Sequence, residues 1–459
     1  MNQKFKIKGQ WFLPENIHDK YSGTLAYDSV NGAYLELFGI FNSYSSTIGV
    51  SMYESIWGIT SSGQRITLFK SYVFNSSLSF SNIDFENEIS FAKYRVNIVL
   101  IGLHSHDYCE NEFTSIKCQI FYLDNWIGIN NFDLNLETDE LRLKNIIVNY
   151  KRKDPIEFQI DDNTLGSFSW NINYSTNEKH KIGIKLEQEV VFEVKSNILK
   201  KIPDLYRYLK RFCDFLILAI YKNTYIHNIR LYNSQLNESY ELFFSITNFE
   251  ENVESKNYSS LIFCYHDVQH NFESLIKSWF EKYALYENCF YLLLDQFYNR
   301  NRFNENNFLN LAQSAEAFHS KISNKTRFPK DEYETMKREI LDSTPQKYHN
   351  WLIEQFVFGN SINLHLRLED LINRYSNEML NKLIGDSNKF ILEIKYSRNY
   401  YTHYSKNLEK KALKGMRLRL LSEKLKILIV YALLVEIGLE RQFLGEAIYK
   451  HNVEIFKRF

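Results

Sequence analysis

The hexapeptide Arg398-Asn399-Tyr400-Tyr401-Thr402-His403 sets a permanent cation five residues from a side chain that titrates near neutral pH. These are the two groups that RNA cleavage without a metal requires. RNA carries its own nucleophile, the 2′-OH. Cleavage needs a base to take its proton, an acid to protonate the departing 5′-oxygen, and positive charge on the phosphorane. Imidazole suits both proton transfers, and a guanidinium grips phosphate through a planar fork of donors. The Arg-x4-His spacing arises easily by chance in a chain of this composition, so its surroundings have to decide.

On a helix, residues five apart point about 140° from each other, so Arg398 and His403 do not share a face. Asn399 and His403 do. Asn399 can therefore hydrogen-bond the imidazole and fix its tautomer, while the long Arg398 side chain reaches round from the adjoining stripe. Tyr396, Tyr400, Tyr401 and Tyr404 offer rings for base stacking. Lys395 precedes them. From Arg398 to Lys426 run nine cations, Lys406, Lys410, Lys411 and Lys414 among them, against two anions, a local balance of +7. A basic stripe beside aromatics is a phosphate footprint. The same residues also admit a structural reading: Arg398 salt-bridged within a bundle, His403 a partly buried polar residue and the lysines a solvated face.

Two kinds of element must carry these groups. Before about residue 270 the apolar pattern has period two. Residues 21–39 read as a hairpin turning at Asn31-Gly32, and 54–70 as a second turning at Ser61-Ser62-Gly63. Further strand-like runs are 95–102, 116–123, 143–149, 156–160, 182–194, 227–232 and 241–246. One helical segment, 197–221, interrupts them, with Pro203 near its start. After 270 the period becomes 3.6, with helices predicted over 272–298, 306–323, 330–341, 346–357, 362–375, 379–404 and 408–440 and no strands. The expected fold is α+β and multidomain. A β-rich, sandwich or barrel-like domain with an inserted helical segment spans 1–268, and an all-α bundle spans 269–459.

Composition narrows the function. The 459 residues carry 55 Lys plus Arg and 55 Asp plus Glu, so nucleic-acid contact has to come from a local patch. Five scattered cysteines argue against a disulfide framework and for a reducing compartment. The polar, basic start lacks a secretory core, and the apolar run 427–435 is about half of what a bilayer requires. A soluble, cytoplasmic protein is expected, with no membrane contact. His104, His106, Cys109 and Cys118 have zinc-ligand chemistry but not a strong zinc spacing, so no metal is assigned. Neither a Gly-x-Ser-x-Gly elbow nor a phosphate loop occurs.

The 394–403 stretch, Ile394-Lys395-Tyr396-Ser397-Arg398-Asn399-Tyr400-Tyr401-Thr402-His403, resembles the ApeA-like branch of the HEPN family. In that family a helical bundle carries Arg, a polar residue, a few variable positions and His. Upstream, Leu311-Ala312-Gln313-Ser314-Ala315-Glu316-Ala317-Phe318-His319 is similar to the branch's earlier helix, which bears an acidic residue. In the N-terminal half, Trp11-Phe12-Leu13-Pro14, Gly23-Thr24-Leu25, Leu35-Glu36-Leu37-Phe38-Gly39, Ile56-Trp57-Gly58-Ile59-Thr60 and Trp126 resemble the ApeA N-terminal domain. The resemblance implies a bacterial antiphage, abortive-infection protein whose HEPN domain cleaves RNA. It implies a homodimer in which two copies of Arg398 and His403 face one cleft, with Glu316 orienting Arg398 or His403. No cofactor is implied. RNA is the expected substrate, with a phage-derived activator at the N-terminal domain. The alternative is a non-catalytic module in which the sheet domain recognises a protein or glycan and the bundle only dimerises.

Overall fold

The computed structural model describes residues 4–41, 52–79, 89–139, 142–176, 183–245, 261–299 and 304–457. These divide into two compact units. One comprises 4–217, 223–245 and 264–269; the other comprises 218–222, 261–263 and 270–457.

The first unit is built on β1 (Lys4–Leu13), β2 (Asn16–Asp28), β3 (Gly32–Phe38), β4 (Met52–Thr60), β5 (Arg65–Ser79) and β6 (Ile89–Ile101). In the order β6-β3-β2-β1-β4-β5, with β5 returning to β6, they close an antiparallel six-stranded barrel. Closure removes the exposed edges that an open sheet would carry. Inward positions alternate along each strand and bury Trp11, Leu25, Leu35, Ile56, Leu68, Tyr94 and Val96 in one core. The glycines of the N-terminal motifs make room for Trp11. A Cβ on Gly58 would overlap the Trp11 ring, and one on Gly23 would overlap the Leu37 side chain and the Glu36 carbonyl. Only glycine lets β4 lie flat on that indole.

The sheet continues past the barrel on the flank of β6 opposite β5. There β6 pairs with β3 along 91–96 and with a later strand along 98–101. The chain runs through β7 (Glu112–Ile120), α1 (Leu123–Ile127), the separate hairpin β8 (Phe132–Asp139) and β9 (Arg142–Tyr150), then β10 (Ile156–Asp161), β11 (Thr164–Thr176), β12 (Ile184–Lys201), α2 (Ile202–Ile220), β13 (Ile226–Asn233), β14 (Glu238–Phe244) and α3 (Tyr265–Val268). The strand order is β10-β11-β12-β7-β13-β14-β6. Phe212 of α2 lies on Phe192 at 4.3 Å and Phe168 at 5.5 Å, with Trp126 of α1 at 6.3 Å, so α2 covers this second sheet.

The second unit is helical: α4 (Phe272–Leu285), α5 (Glu287–Tyr298), α6 (Asn304–Ile322), α7 (Lys330–Ser343), α8 (His349–Gly359), α9 (Leu364–Arg374), α10 (Glu378–Ile384), α11 (Ser387–His403), α12 (Gly415–Glu436) and α13 (Arg441–Lys457). Residues 427–434 of α12 are buried all round, the mark of a central helix. Pairs α5–α6, α6–α12, α11–α6, α11–α9 and α11–α12 pack together. No described helix is long and apolar enough to cross a membrane.

The β-rich and helical fold class is as expected from the sequence, but several elements differ. β1, β8, β11, α1, α3 and α13 are additional. β1 does carry a period-two signal, lysines at 4, 6 and 8 alternating with half-buried Phe5 and Ile7. Residues 197–201, expected as helix, extend β12, and α2 starts at Ile202 with Pro203 in its first turn. The 272–298 run breaks at Tyr286. The 379–404 run breaks at Gly385 (φ 80°) and Asp386, whose carboxylate accepts from the Lys389 N–H at 3.0 Å and starts α11. The helix expected over 408–440 begins only at Gly415. Residues 182 and 246, placed in two of the expected strands, lie outside the described residues.

Gly58→Ala tests the Trp11 slot. It should lower the unfolding free energy by about 1–3 kcal/mol, the cost of overpacking a filled core, read as a shift in the urea midpoint. Ala at Gly63, whose Cβ would meet nothing within 4 Å, is the control for backbone strain, since Gly63 holds φ +80°.

Candidate functional site

α11 brings the motif to the C-terminal end of a helix whose inner face is Phe390, Ile391, Ile394, Ser397 and Tyr401. Burying that face leaves Arg398 half-buried and turns His403, in the last turn, fully to the surface. The helix stops at Tyr404, which takes a left-handed conformation (φ 49°, ψ 36°). Arg398 and Glu316 meet across the α6–α11 contact, Nη2 to Oε2 at 3.5 Å, with side chains 34% and 27% exposed. Arg398 Nη1 also donates to Asn399 Oδ1 at 3.5 Å. Both contacts are at the long limit of hydrogen bonding, so the guanidinium is aimed rather than locked. At this exposure such a pair is worth only about 0–1 kcal/mol.

Asn399 thus faces Arg398. The bond from Asn399 to the imidazole, expected from their spacing, is not formed. Among the described residues His403 has no side-chain hydrogen bond, and the Asn399 carbonyl is engaged by the neighbouring guanidinium instead.

A cleft of about 420 Å³ opens beside the motif, lined by Glu305, Asn306, Tyr400, Tyr401, Tyr404 and Lys414. The rings of Tyr400 and Tyr404 meet edge-on at 5.6 Å. Tyr401 corrects an expectation. It is only 7% exposed, with its ring 6.5 Å from Phe308 and its hydroxyl donating to the Leu413 carbonyl at 2.8 Å. It serves the core, and the open stacking surface is left to Tyr400 and Tyr404. Tyr396 is half-buried with the Lys411 ammonium 5.0 Å from its ring centre. Lys395 is half-buried on α11.

The basic run is part helix and part loop: Arg398 lies on α11, Arg417, Arg419, Lys424 and Lys426 lie on α12, and four lysines lie between. Residues 404–414 leave α11, form one short 3-10 turn at Lys406–Leu408, and enter α12 at Gly415 (φ 56°). Lys406, Lys410 and Lys411 are exposed on this loop. Lys414 pairs with Glu409 at 3.0 Å, Lys426 pairs with Glu423 at 2.7 Å, and Lys424 donates to the Ile384 carbonyl at 2.8 Å, so with Arg398 on Glu316 four of the nine cations already meet a carboxylate or carbonyl. Two bonds pin the loop's end to α11: Tyr401 to the Leu413 carbonyl, and the Leu413 N–H to Ser397 Oγ at 3.0 Å.

A buried network behind Glu316 escaped the sequence reading. His319, one turn on along α6 and 1% exposed, directs Nε2 at Asp370 Oδ2 (2.9 Å) and Nδ1 at Arg367 Nη1 (3.5 Å). An arginine only donates, so Nδ1 accepts and the imidazole is the neutral Nε2–H form. Arg367 Nη1 also reaches the Glu316 carbonyl at 3.5 Å. Lys325 and Arg374 close on Asp370 at 3.3 and 3.9 Å. Burial holds the His319 pKa below its ordinary value despite the Asp370 bond. The only sequence signal was its place three residues after Glu316, where helix geometry makes the two neighbours.

The histidines and cysteines of the barrel unit do not assemble. His104 stacks on Trp57 at 4.8 Å and meets the Gly58 carbonyl at 2.9 Å, His106 packs on the other part of Trp57 at 4.7 Å, and Cys118 is buried in β7. Among the described residues no group of three His, Cys, Asp or Glu side chains is placed to hold a metal.

Comparison with known proteins adds two matches. Residues 6–279, more than half of the chain, match the family described as ApeA N-terminal domain 1, and residues 309–443 match Apea-like HEPN. No curated protein and no solved structure matches the chain.

Two measurements check this geometry. Ser397→Ala with Tyr401→Phe removes both pins, and amide hydrogen exchange across 405–414 should speed up roughly tenfold while α12 stays protected; unchanged exchange would show the loop is held otherwise. His319 binds a proton more readily in the unfolded chain. Its contribution to stability is therefore intact above pH 6.5 and declines as pH falls from 6.5 through the lower folded value. His319→Gln should flatten the urea midpoint against pH in that window; an equally steep profile would place the titration elsewhere.

Proposed function

Because the chain belongs to the ApeA family and carries its HEPN domain, an antiphage-defence effector of nuclease type, we propose that it is a metal-independent endoribonuclease with Arg398 and His403 as its catalytic residues. The observation that carries this reading is the α6–α11 contact, where Glu316 meets Arg398 near the end of the helix whose last turn exposes His403. A carboxylate–guanidinium pair this long and this exposed yields readily to an RNA phosphodiester, which offers the same fork a bidentate anion whose charge doubles in the phosphorane.

One chain supplies one motif histidine, while in-line cleavage needs a base and an acid. In a two-fold homodimer formed by the bundles, one His403 takes the 2′-OH proton as the 2′-oxygen bonds to phosphorus. The partner's protonated imidazole gives its proton to the 5′-oxygen as the P–O5′ bond breaks. Arg398 stabilises the phosphorane. The products are a 2′,3′-cyclic phosphate and a 5′-OH end. Asn399 steadies the guanidinium and Glu316 orients it. Tyr400, with Tyr396 at its side, stacks bases in and near the cleft, and Lys395, Lys406, Lys410 and Lys411 contact flanking phosphates. Residues 269–459 would be the ribonuclease and 1–268 the domain that answers a phage-derived activator.

The test is sequencing of RNA ends bearing 2′,3′-cyclic phosphates after induction of each form in cells. His403→Ala and Arg398→Ala should each reduce these ends by roughly 10²–10⁴-fold and relieve growth arrest. Glu316→Gln should give a smaller loss, because Arg398 keeps its charge and loses only its aim. Undiminished ends in His403→Ala would sink the mechanism. Intact RNA pools with the wild-type protein under phage challenge would favour a bundle that only dimerises.

A further inference from the structure

The β-rich unit holds a second cavity, of about 330 Å³, where the end of β12 meets the start of α2. Lys200 and Lys201 reach it from the strand, and Arg207 and Arg211, four apart on one helix face, reach it from α2. Glu112 and Asp204 are the acidic lining residues. Four cations against two anions leave a lining charge of +2. Arg207 spends part of its charge on Asp204 at 3.1 Å. Lys200 Nζ is held 3.4 Å from the Tyr208 hydroxyl, which itself donates to Asp161 Oδ2 at 2.6 Å. That chain of contacts fixes the lysine over the cavity. Cations gathered on a concave surface repel one another, and an entering anion relieves the repulsion.

We propose that this cavity is a binding site for a small phosphomonoester, with the phosphate between Lys200, Lys201, Arg207 and Arg211 and the remainder of the molecule against Ile198 and Tyr208. The match is one of charge and size. A phosphomonoester carries about −1.5 to −2 at neutral pH, which balances the lining. The volume is at the lower end of that of ligand sites and suits about one sugar-phosphate unit. Arginine and lysine divide the work: the two guanidinium forks orient the phosphate and the ammonium groups add charge. Nothing in this site touches the Arg398–His403 chemistry, so it stands independently of the nuclease reading.

The experiment is isothermal titration calorimetry on the full chain carrying His403→Ala, which keeps the protein benign to its host. AMP and ribose 5-phosphate are the probes, adenosine is the control without phosphate, and a 5′-hydroxyl oligonucleotide tests for extended nucleic acid. AMP should bind saturably, with affinity falling as salt rises, and adenosine should not bind. Ribose 5-phosphate binding as well as AMP would assign recognition to the sugar-phosphate; AMP alone would add the base. Lys201→Glu with Arg207→Glu should weaken binding at least tenfold while the thermal midpoint stays unchanged. The proposal fails if neither phosphomonoester saturates, if adenosine binds as well as AMP, or if the double variant binds like the parent. It also fails if only the oligonucleotide binds, which would make the patch a nucleic-acid surface.

Discussion

Burial of apolar helix faces is the constraint on which the helical unit depends, and it decides where the Glu316 carboxylate meets the Arg398 guanidinium. These two residues come from helices separated by more than sixty positions in the chain, and each helix is placed by what it buries. α6 sinks Phe308, Leu311, Ala312, Ala315 and Phe318; α11 sinks Phe390, Ile391, Ile394 and Tyr401; α12 lies buried beneath. Apolar burial thus fixes where the charges meet, at about 25 cal/mol for each Å² removed from water. The ion pair adds little stability of its own. The pair ties the Arg398 side chain to α6 while leaving both groups about a third exposed.

Behind the pair lies a second layer of polar contacts that is far better buried. His319, Asp370 and Arg367 are joined in a sequence of donors and acceptors that only one imidazole tautomer satisfies. A buried network with every member paired rigidifies its neighbourhood, whereas an unpaired member would cost the full desolvation of its polar group. Arg367 ends on the Glu316 carbonyl, so the backbone that presents the orienting carboxylate is itself tied to α9. On the other side, Ser397 and Tyr401 fasten Leu413 and give the lysine loop a fixed end. Rigid support on one flank and a tethered cationic loop on the other is the arrangement a binding cleft needs.

The barrel unit follows a different logic. Its sequence motifs are packing motifs: the Trp11 indole occupies the space of a Cβ on Gly58, and the Glu36 carbonyl and Leu37 side chain occupy that of a Cβ on Gly23. His104 and His106 have the composition of metal ligands, but they flank Trp57 and serve as packing partners. Chemistry-bearing residue types are therefore a weak guide in this unit. The cluster of charge at the β12–α2 junction is assembled from residues whose spacing signals nothing.

Periodicity in the chain determined the two element classes, the change between them near residue 270, most of the helices and both early hairpins, because burial of one face imposes a period that survives in any context. The Arg-x4-His pair was visible because residue type and spacing are written locally, whereas Glu316 was reached through the family resemblance. Several helix boundaries were not visible, since Gly385 halts α10 and Gly415 opens α12 through backbone conformation that the flanking apolar pattern runs straight across. Nor was barrel closure, the turning of Asn399 toward Arg398, the withdrawal of Tyr401 into the core or the burial of His319 against Asp370. Each of these depends on which distant surface a side chain meets, and that is settled only when the elements pack.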